Sequence, residues 1–269
     1  MALVKTVLVA EDNIINQQLI KKMFSSLHCD VFVVANGQEV LDYYQQYCAQ
    51  IAFILMDGDM PVLDGYKASQ AIKRWEFETK RLGSVPIIAW TAHSGIGLNK
   101  ESWSAVGVHD FLSKPVLIND LKTLLLKYFP KASVAQPKEE PQQKEIGLQT
   151  KNNIASFALN AEALEQLLML DDNNPGLFQS LIVRYKTEGQ RLLAEIERQL
   201  NAKQAEPVRK AAHTLKSSSA SFGATDLAGI CKDIEYNSED FTAITGWLES
   251  AKGLFTQTLE ALEKIQSSD

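Results

Sequence analysis

Short apolar runs alternate with amphipathic stretches along the first half of the chain. Strand-like runs occupy residues 7–10, 31–35, 53–57, 86–90 and 110–113. Between and after them, apolar residues recur three and four positions apart, which predicts helices over 14–27, 37–48, 66–77, 99–106 and 117–129. Five strand–helix repeats predict an α/β fold, a five-stranded doubly wound parallel sheet with helices on both faces.

The second half shows the helical period throughout. The predicted helices cover residues 161–170, 174–201, 205–220, 225–237 and 241–265. Asn160 is a typical N-cap for the first of them, and Asn174 with Pro175 at the first helical position is predicted to open the second. Short connections between these helices favour an all-α antiparallel bundle.

Between the two halves the composition changes. Residues 130–157 are rich in Pro, Gln, Lys and Glu and hold few large apolar side chains. Such a segment cannot bury enough apolar surface to offset the entropy cost of ordering. We therefore predict a domain at 1–129, a flexible linker at 130–157 with a root-mean-square span of about 30 Å, and a second domain at 158–269.

Composition and charge narrow the classes of function. The chain is 45% hydrophobic and 22% charged, as in ordinary globular proteins, and its formal charge of −6 argues against nucleic-acid binding. No apolar run approaches the roughly 18 residues of a membrane span. The three cysteines show no CxxC spacing, so no disulfide framework or zinc site is predicted. We expect a cytoplasmic protein with no membrane segment in this chain.

Chemically active side chains fall at the predicted strand ends. Glu11 and Asp12 follow the first strand, Asp57 ends the third, and Thr91 and Lys114 follow the fourth and fifth. Because the carboxyl ends of parallel strands share one edge of a sheet, these groups are expected to converge. Mg²⁺ suits such a set of carboxylates. Asp57 could then attack phosphorus, with Thr91 and Lys114 stabilising the charge on the phosphoryl oxygens.

The helical half carries a second candidate acceptor, His213. A neutral imidazole can act as a nucleophile toward an acyl phosphate. Arg209, Lys210 and Lys216 lie four before, three before and three after His213, so they neighbour it on a helix. Cations in these positions would stabilise a bound phosphoryl group.

The first half resembles the response-regulator receiver family over residues 4–129. The motifs, in order, are VLVAEDN, LMDGDMPVLDG, IIAWTAH and GVHDFLSKP. The resemblance implies that Asp57 is phosphorylated and that Thr91 and Phe111 form the switch. It also implies that the carbonyl of Asp59 joins Glu11, Asp12 and Asp57 around Mg²⁺. One departure is Trp90, where a smaller aliphatic residue is more usual.

The second half resembles histidine-containing phosphotransfer (HPt) domains over about residues 158–265. HTLKSSSASFGA matches their signature, which implies that His213 is phosphorylated and that Lys216 binds the phosphate. Ser217 stands where many members have glycine.

Together the two resemblances imply a two-component phosphorelay. The chain has no G-x-x-x-x-G-K loop and no region resembling an ATP-binding kinase domain, so it is expected to move phosphoryl groups without generating them. We expect an upstream histidine kinase to phosphorylate Asp57, which passes the group to His213 and then to a separate response regulator.

Asn16 is typical of receivers in hybrid sensor kinases, so the chain could be the carboxy-terminal part of such a kinase or a free-standing relay protein. The resemblance further implies a contact between the two domains of one chain.

The sequence leaves two alternatives open. The chain could act as a phosphate sink or kinase-binding regulator without onward transfer. The pair Asp57 and Asp59 is also similar to the nucleophile motif of Mg²⁺-dependent aspartyl phosphatases of the haloacid dehalogenase type. That reading is disfavoured, because their nucleophile follows the first strand and Asp57 ends the third.

Overall fold

The computed structural model describes residues 6–81, 83–91, 100–129 and 159–266. The chain forms two compact units, Met1–Lys138 and Glu139–Asp269. The predicted linker at 130–157 lies outside the described residues, and the predicted domain boundaries stay predictions.

The described part of the first unit contains five strands and five helices. The strands are β1 (Thr6–Ala10), β2 (Val31–Val34), β3 (Ile51–Asp57), β4 (Ile87–Thr91) and β5 (Val108–Ser113). The helices are α1 (Ile14–Ser26), α2 (Gly37–Tyr47), α3 (Gly65–Glu78), α4 (Lys100–Ala105) and α5 (Ile118–Tyr128), with a short 3₁₀ turn at Cys48–Gln50.

All strand pairs are parallel, in the order β2-β1-β3-β4-β5. This is the predicted doubly wound α/β fold, and the prediction is confirmed. Every residue of β3 is buried, as expected for a central strand covered on both faces. Ile54 belongs to a core shared with α2 and α3, whereas Phe53 meets the rings of Phe24 in α1 and Tyr128 in α5.

The described part of the second unit is a bundle of five helices. These are α6 (Ala161–Asp172), α7 (Leu177–Asn201), α8 (Ala205–Ser221), α9 (Thr225–Tyr236) and α10 (Phe241–Gln266). The predicted all-α architecture is therefore confirmed. Asn160 caps α6 as predicted, its side chain accepting from the Ala163 N–H at 2.9 Å.

The predicted start of α7 is wrong. Gly176 has a positive φ of 84°, and the helix begins after it at Leu177. Asn174 instead donates its side-chain amide to the Leu170 carbonyl of the preceding helix at 3.1 Å. The Phe178 N–H, in the first turn of α7, donates to the Asp171 carboxylate at 2.8 Å. A side chain from α6 thus provides the capping group that the sequence rule assigned to Asn174.

None of the described helices combines enough length with enough apolar character to cross a membrane.

Candidate functional site

The sheet of the first unit brings Glu11, Asp57 and Lys114 together at the carboxyl ends of β1, β3 and β5. Lys114 Nζ lies 2.6 Å from Glu11 Oε2 and 2.8 Å from Asp57 Oδ2. All three side chains are almost fully buried. The Asn13 N–H donates to the other Glu11 oxygen at 3.0 Å. The site is thus a desolvated ion-pair network.

The charges of this network depend on one another. Burial disfavours the charged form of Glu11 and, with Asp57 and Asp12 nearby, raises the pKa of Glu11 despite the attraction of Lys114. Burial alone would lower the pKa of Lys114, but attraction to Asp57 and Glu11 outweighs it and raises the pKa of that ammonium. Lys114 therefore stays positively charged beside Asp57 at neutral pH.

Asp12 completes an acidic cluster with Glu11 and Asp57. One carboxylate oxygen from each of the three lies within 4.8 Å of those of the other two. Lys114 contributes one positive charge against three carboxylates, so the cluster can accept a further cation. Carboxylate oxygens are hard ligands of the kind that Mg²⁺ prefers, and the donor set fits that ion.

The remaining predicted receiver residues are Thr91, Phe111 and Asp59. Thr91 ends β4 and is buried, and its carbonyl accepts from the Lys114 N–H at 2.9 Å. Phe111 lies in β5 opposite Ala89 and packs, partly buried, against the core. Asp59 lies two residues beyond the end of β3. The switch roles of Thr91 and Phe111 and the ligand role of Asp59 stay predictions.

The turn after Asp57 is held close to the strand. Asp64 caps α3 by accepting from the Lys67 N–H, and the Gly65 N–H donates to the Gly58 carbonyl at 3.1 Å. Gly65, the first residue of α3, lies so near the strand that a Cβ atom would overlap the Asp57 carbonyl oxygen. Helix α3 therefore packs directly on the backbone of the predicted acceptor.

In the bundle, His213 and Lys216 on α8 share one carboxylate from α9. His213 Nδ1 lies 2.8 Å from Glu235 Oε1, and Lys216 Nζ lies 2.5 Å from Glu235 Oε2. With Glu235 ionised, Nδ1 is the protonated ring nitrogen, which assigns the reactive lone pair to Nε2.

Glu235 was missed by the sequence reasoning. Burial alone would raise its pKa, but hydrogen bonds and attraction from His213 and Lys216 outweigh it and hold the pKa of Glu235 below its usual value. The available signal was its position. Leu227, Cys231 and Ile234 form the buried stripe of α9, and Glu235 follows Cys231 by one turn. A carboxylate on the buried, apolar face of a helix requires a charged or hydrogen-bonding partner, so this position signals a contact.

The structure pairs Arg209 and Lys210 with an acid on their own helix. Both bind Glu206, Arg209 at 2.8 Å and Lys210 at 3.5 Å. To bind a phosphoryl group on His213, either side chain would have to exchange this partner. Their predicted phosphate-stabilising role stays a prediction.

Comparison with known proteins assigns both units to families. Residues 7–126 match the model of the response regulator receiver domain, and residues 180–265 match that of the Hpt domain.

Histidine kinases and a response regulator are similar to the chain. Hybrid signal transduction histidine kinase I of Dictyostelium discoideum is 39% identical over 129 residues, 45% of this chain and 7% of the kinase. Two-component response regulator 24 of Arabidopsis thaliana is 32% identical over 124 residues, 45% of this chain and 82% of the regulator. Signal transduction histidine-protein kinase BarA of Shigella flexneri is 28% identical over 238 residues, 87% of this chain and 24% of the kinase.

The similarity to BarA extends across both units, although the chain spans less than a quarter of either kinase. Receiver and Hpt domains are the parts of two-component systems that exchange phosphoryl groups with kinases and response regulators. The chain belongs to the response-regulator receiver family through its first unit and carries an Hpt domain in its second, and both are domains of two-component signalling.

Proposed function

We propose that the chain is a relay intermediate in which Asp57 receives a phosphoryl group from a histidine kinase and passes it to His213, which passes it to a separate response regulator. The observation that carries the proposal is that each acceptor is bound to a lysine-containing charge network. Lys114 binds Asp57 directly, and Lys216 shares Glu235 with His213. The cytoplasm stays our prediction for the compartment.

In the first step an Asp57 carboxylate oxygen attacks the phosphorus of a phosphohistidine on the kinase. The O–P bond forms as the N–P bond breaks, and the electron pair returns to the kinase's imidazole nitrogen. The Lys114 ammonium can then move from the Asp57 carboxylate to the phosphoryl oxygens, which now carry the added negative charge. Its flexible stem is long enough for this movement.

A divalent cation fits this step. Glu11, Asp12 and Asp57, with the predicted Asp59 carbonyl, would hold Mg²⁺. When bound, the ion would offset the negative charge on the phosphoryl oxygens.

In the second step the Nε2 lone pair of His213 attacks the phosphorus on Asp57. The N–P bond forms, the O–P bond breaks, and the Asp57 carboxylate is regenerated. The imidazole ring becomes positively charged, and Glu235 stabilises that charge through Nδ1–H, as a carboxylate does for a catalytic imidazole. Onward transfer to the aspartate of a response regulator repeats the first step with His213 as donor.

Labelling the full chain from a radiolabelled phosphohistidine kinase tests the order of transfer. The label on Asp57 is an acyl phosphate, sensitive to hydroxylamine, whereas the label on His213 is stable to base and labile to acid. We expect Asp57→Asn to abolish label at both residues. We expect His213→Gln to retain the hydroxylamine-sensitive label alone.

Label on His213 that persists in Asp57→Asn would overturn the order. A mixture of the two variants distinguishes transfer within a chain from transfer between chains, because only transfer between chains labels His213 in the mixture. Labelled wild-type chain that transfers to no response regulator of the same organism would favour the phosphate sink.

A further inference from the structure

Trp90 lies beside the predicted acceptor on the neighbouring strand. It is the register partner of Asp57 in β3 and of Leu112 in β5, and only 2% of its surface is exposed. Lys114 Nζ lies 4.6 Å from the centroid of its ring. The ammonium therefore contacts two carboxylates, Glu11 and Asp57, and an aromatic face.

This arrangement favours a strong cation–π interaction. Tryptophan provides the strongest ring quadrupole of the aromatic side chains, and the attraction grows when the cation is removed from water. Only 5% of the Lys114 side chain is exposed. A lysine stem has several rotatable bonds, so a fixed ring beneath the ammonium limits the positions that the charge can take.

An aliphatic residue at this position would avoid the free-energy cost of burying the indole N–H. Among the described residues, Trp90 Nε1 is buried without a hydrogen-bond partner. A buried donor without a partner costs free energy that a leucine of the strand core would not incur. The contact with Lys114 requires an aromatic ring here, because an aliphatic side chain offers the ammonium no ring quadrupole.

We propose that Trp90 is a positioning residue for phosphorylation of Asp57, acting through Lys114. Its ring holds the ammonium next to the Asp57 carboxylate, in the place from which it can bind the incoming phosphoryl oxygens. The inference rests on the proposed role of Asp57 as acceptor and adds a residue to that site.

A double-mutant cycle separates this role from simple packing. The rate of Asp57 labelling by acetyl phosphate is measured in the full chain carrying His213→Gln, so that label remains on Asp57. We expect Trp90→Leu to slow labelling about tenfold and Trp90→Phe, which keeps a ring, about threefold. In a Lys114→Met background, Trp90→Leu should cause no further loss.

Ile88→Val is the matched control. It trims a buried side chain two residues earlier on the same face of β4, and it should leave the rate unchanged. Equal slowing by Trp90→Leu in both backgrounds would show a packing role and overturn the proposal. So would a full rate in Trp90→Leu with Lys114 intact.

A second measurement needs neither phosphorylation nor a variant at Lys114. In NMR spectra of chain with ¹³C-labelled lysine, the ring current of Trp90 should move the ε-CH₂ protons of Lys114 upfield, and Trp90→Leu should remove the shift. Absence of the shift in the wild type would overturn the proposal. If instead the shift is present and Asp57 is not labelled in the wild type, the proposed function fails and the geometry stands.

Discussion

At the scale of single residues, Glu235 connects His213 and Lys216 on α8. One of its oxygens meets His213 Nδ1 and the other meets Lys216 Nζ, so a single carboxylate fixes the ring orientation and holds the lysine nearby. Removing its charge would leave a histidine that can still be positioned but that lacks a counter-ion when its ring becomes positive.

We expect Glu235→Gln to slow phosphoryl transfer to His213 about tenfold, because a charge-assisted hydrogen bond is stronger than a neutral one. The measurement is the rate at which label from phosphorylated Asp57 appears on His213. Glu239→Gln removes the same charge from an exposed position four residues later and should have no effect. An unchanged rate in Glu235→Gln would show that Glu235 is structural only.

The pH dependence of stability has a definite sign at the same residue. The pKa of Glu235 is lowered in the folded chain, so its contribution to the free energy of unfolding is present above the ordinary value of 4.5 and is lost as pH falls through the lower folded value. The stability difference between wild type and Glu235→Gln should therefore shrink below about pH 4.5. Denaturant unfolding of the chain at several pH values measures it, and a difference that grows on acidification would contradict the assignment.

The meeting of Glu11, Asp57 and Lys114 at one edge of the sheet could be predicted because chemistry and chain position agree. Glu11, Asp57 and Lys114 are all polar groups that follow apolar strands, and parallel topology requires strand ends to meet. Glu235 could not be predicted in this way, because no local sequence signal indicates which residue of α9 faces His213. The packing of two helices determines that contact.

At the scale of elements, α7 and α10 are in close contact at a glycine. A Cβ atom on Gly189 would overlap the ring of Phe255, which also packs against Tyr185. The absence of a side chain on α7 therefore makes room for an aromatic ring from α10.

Gly189→Ala should destabilise the chain by about 1–3 kcal/mol, because it overpacks this contact. Gly229→Ala is the matched control: that glycine lies within α9 with open space around it, so the change should stabilise by about 0.5–1 kcal/mol through helix propensity. Thermal or denaturant unfolding of both variants measures the two changes in stability. Stabilisation by Gly189→Ala would show that the ring of Phe255 can shift to accept the added methyl group, and it would contradict this prediction.

Helix existence was predictable from apolar periodicity, whereas one helix start was not. Proline at the first helical position predicts a helix start at Pro175, but the helix begins at Leu177, where Asp171 of the preceding helix supplies the capping oxygen. Capping rules consider a few consecutive residues, and this partner lies seven positions back.

At the scale of the whole molecule, the predicted Mg²⁺ ligands all belong to the first of the two units. The cluster of Glu11, Asp12 and Asp57 belongs to the first unit, and Mg²⁺ bound there would stabilise that unit by mass action. The change in composition along the chain predicts two domains, because a polar segment separates two regions of different hydrophobic period.

We expect Mg²⁺ at tenfold its dissociation constant to stabilise a fragment of residues 1–129 by about 1.4 kcal/mol, or roughly 5 °C in Tm. A fragment of residues 158–269 should not respond. Asp12→Asn in the first fragment should abolish most of the shift. An equal response of both fragments would indicate a general salt effect in place of the predicted site.

The contact of Gly65 with the backbone of Asp57 also matters for protein engineering. A designer who transplants this acceptor onto another sheet would first copy the groups that react. Those groups would be misplaced without Gly65, because any larger residue there pushes the helix away from the strand or moves the carbonyl that precedes the turn. The smallest transferable unit therefore includes a residue that has no functional group of its own.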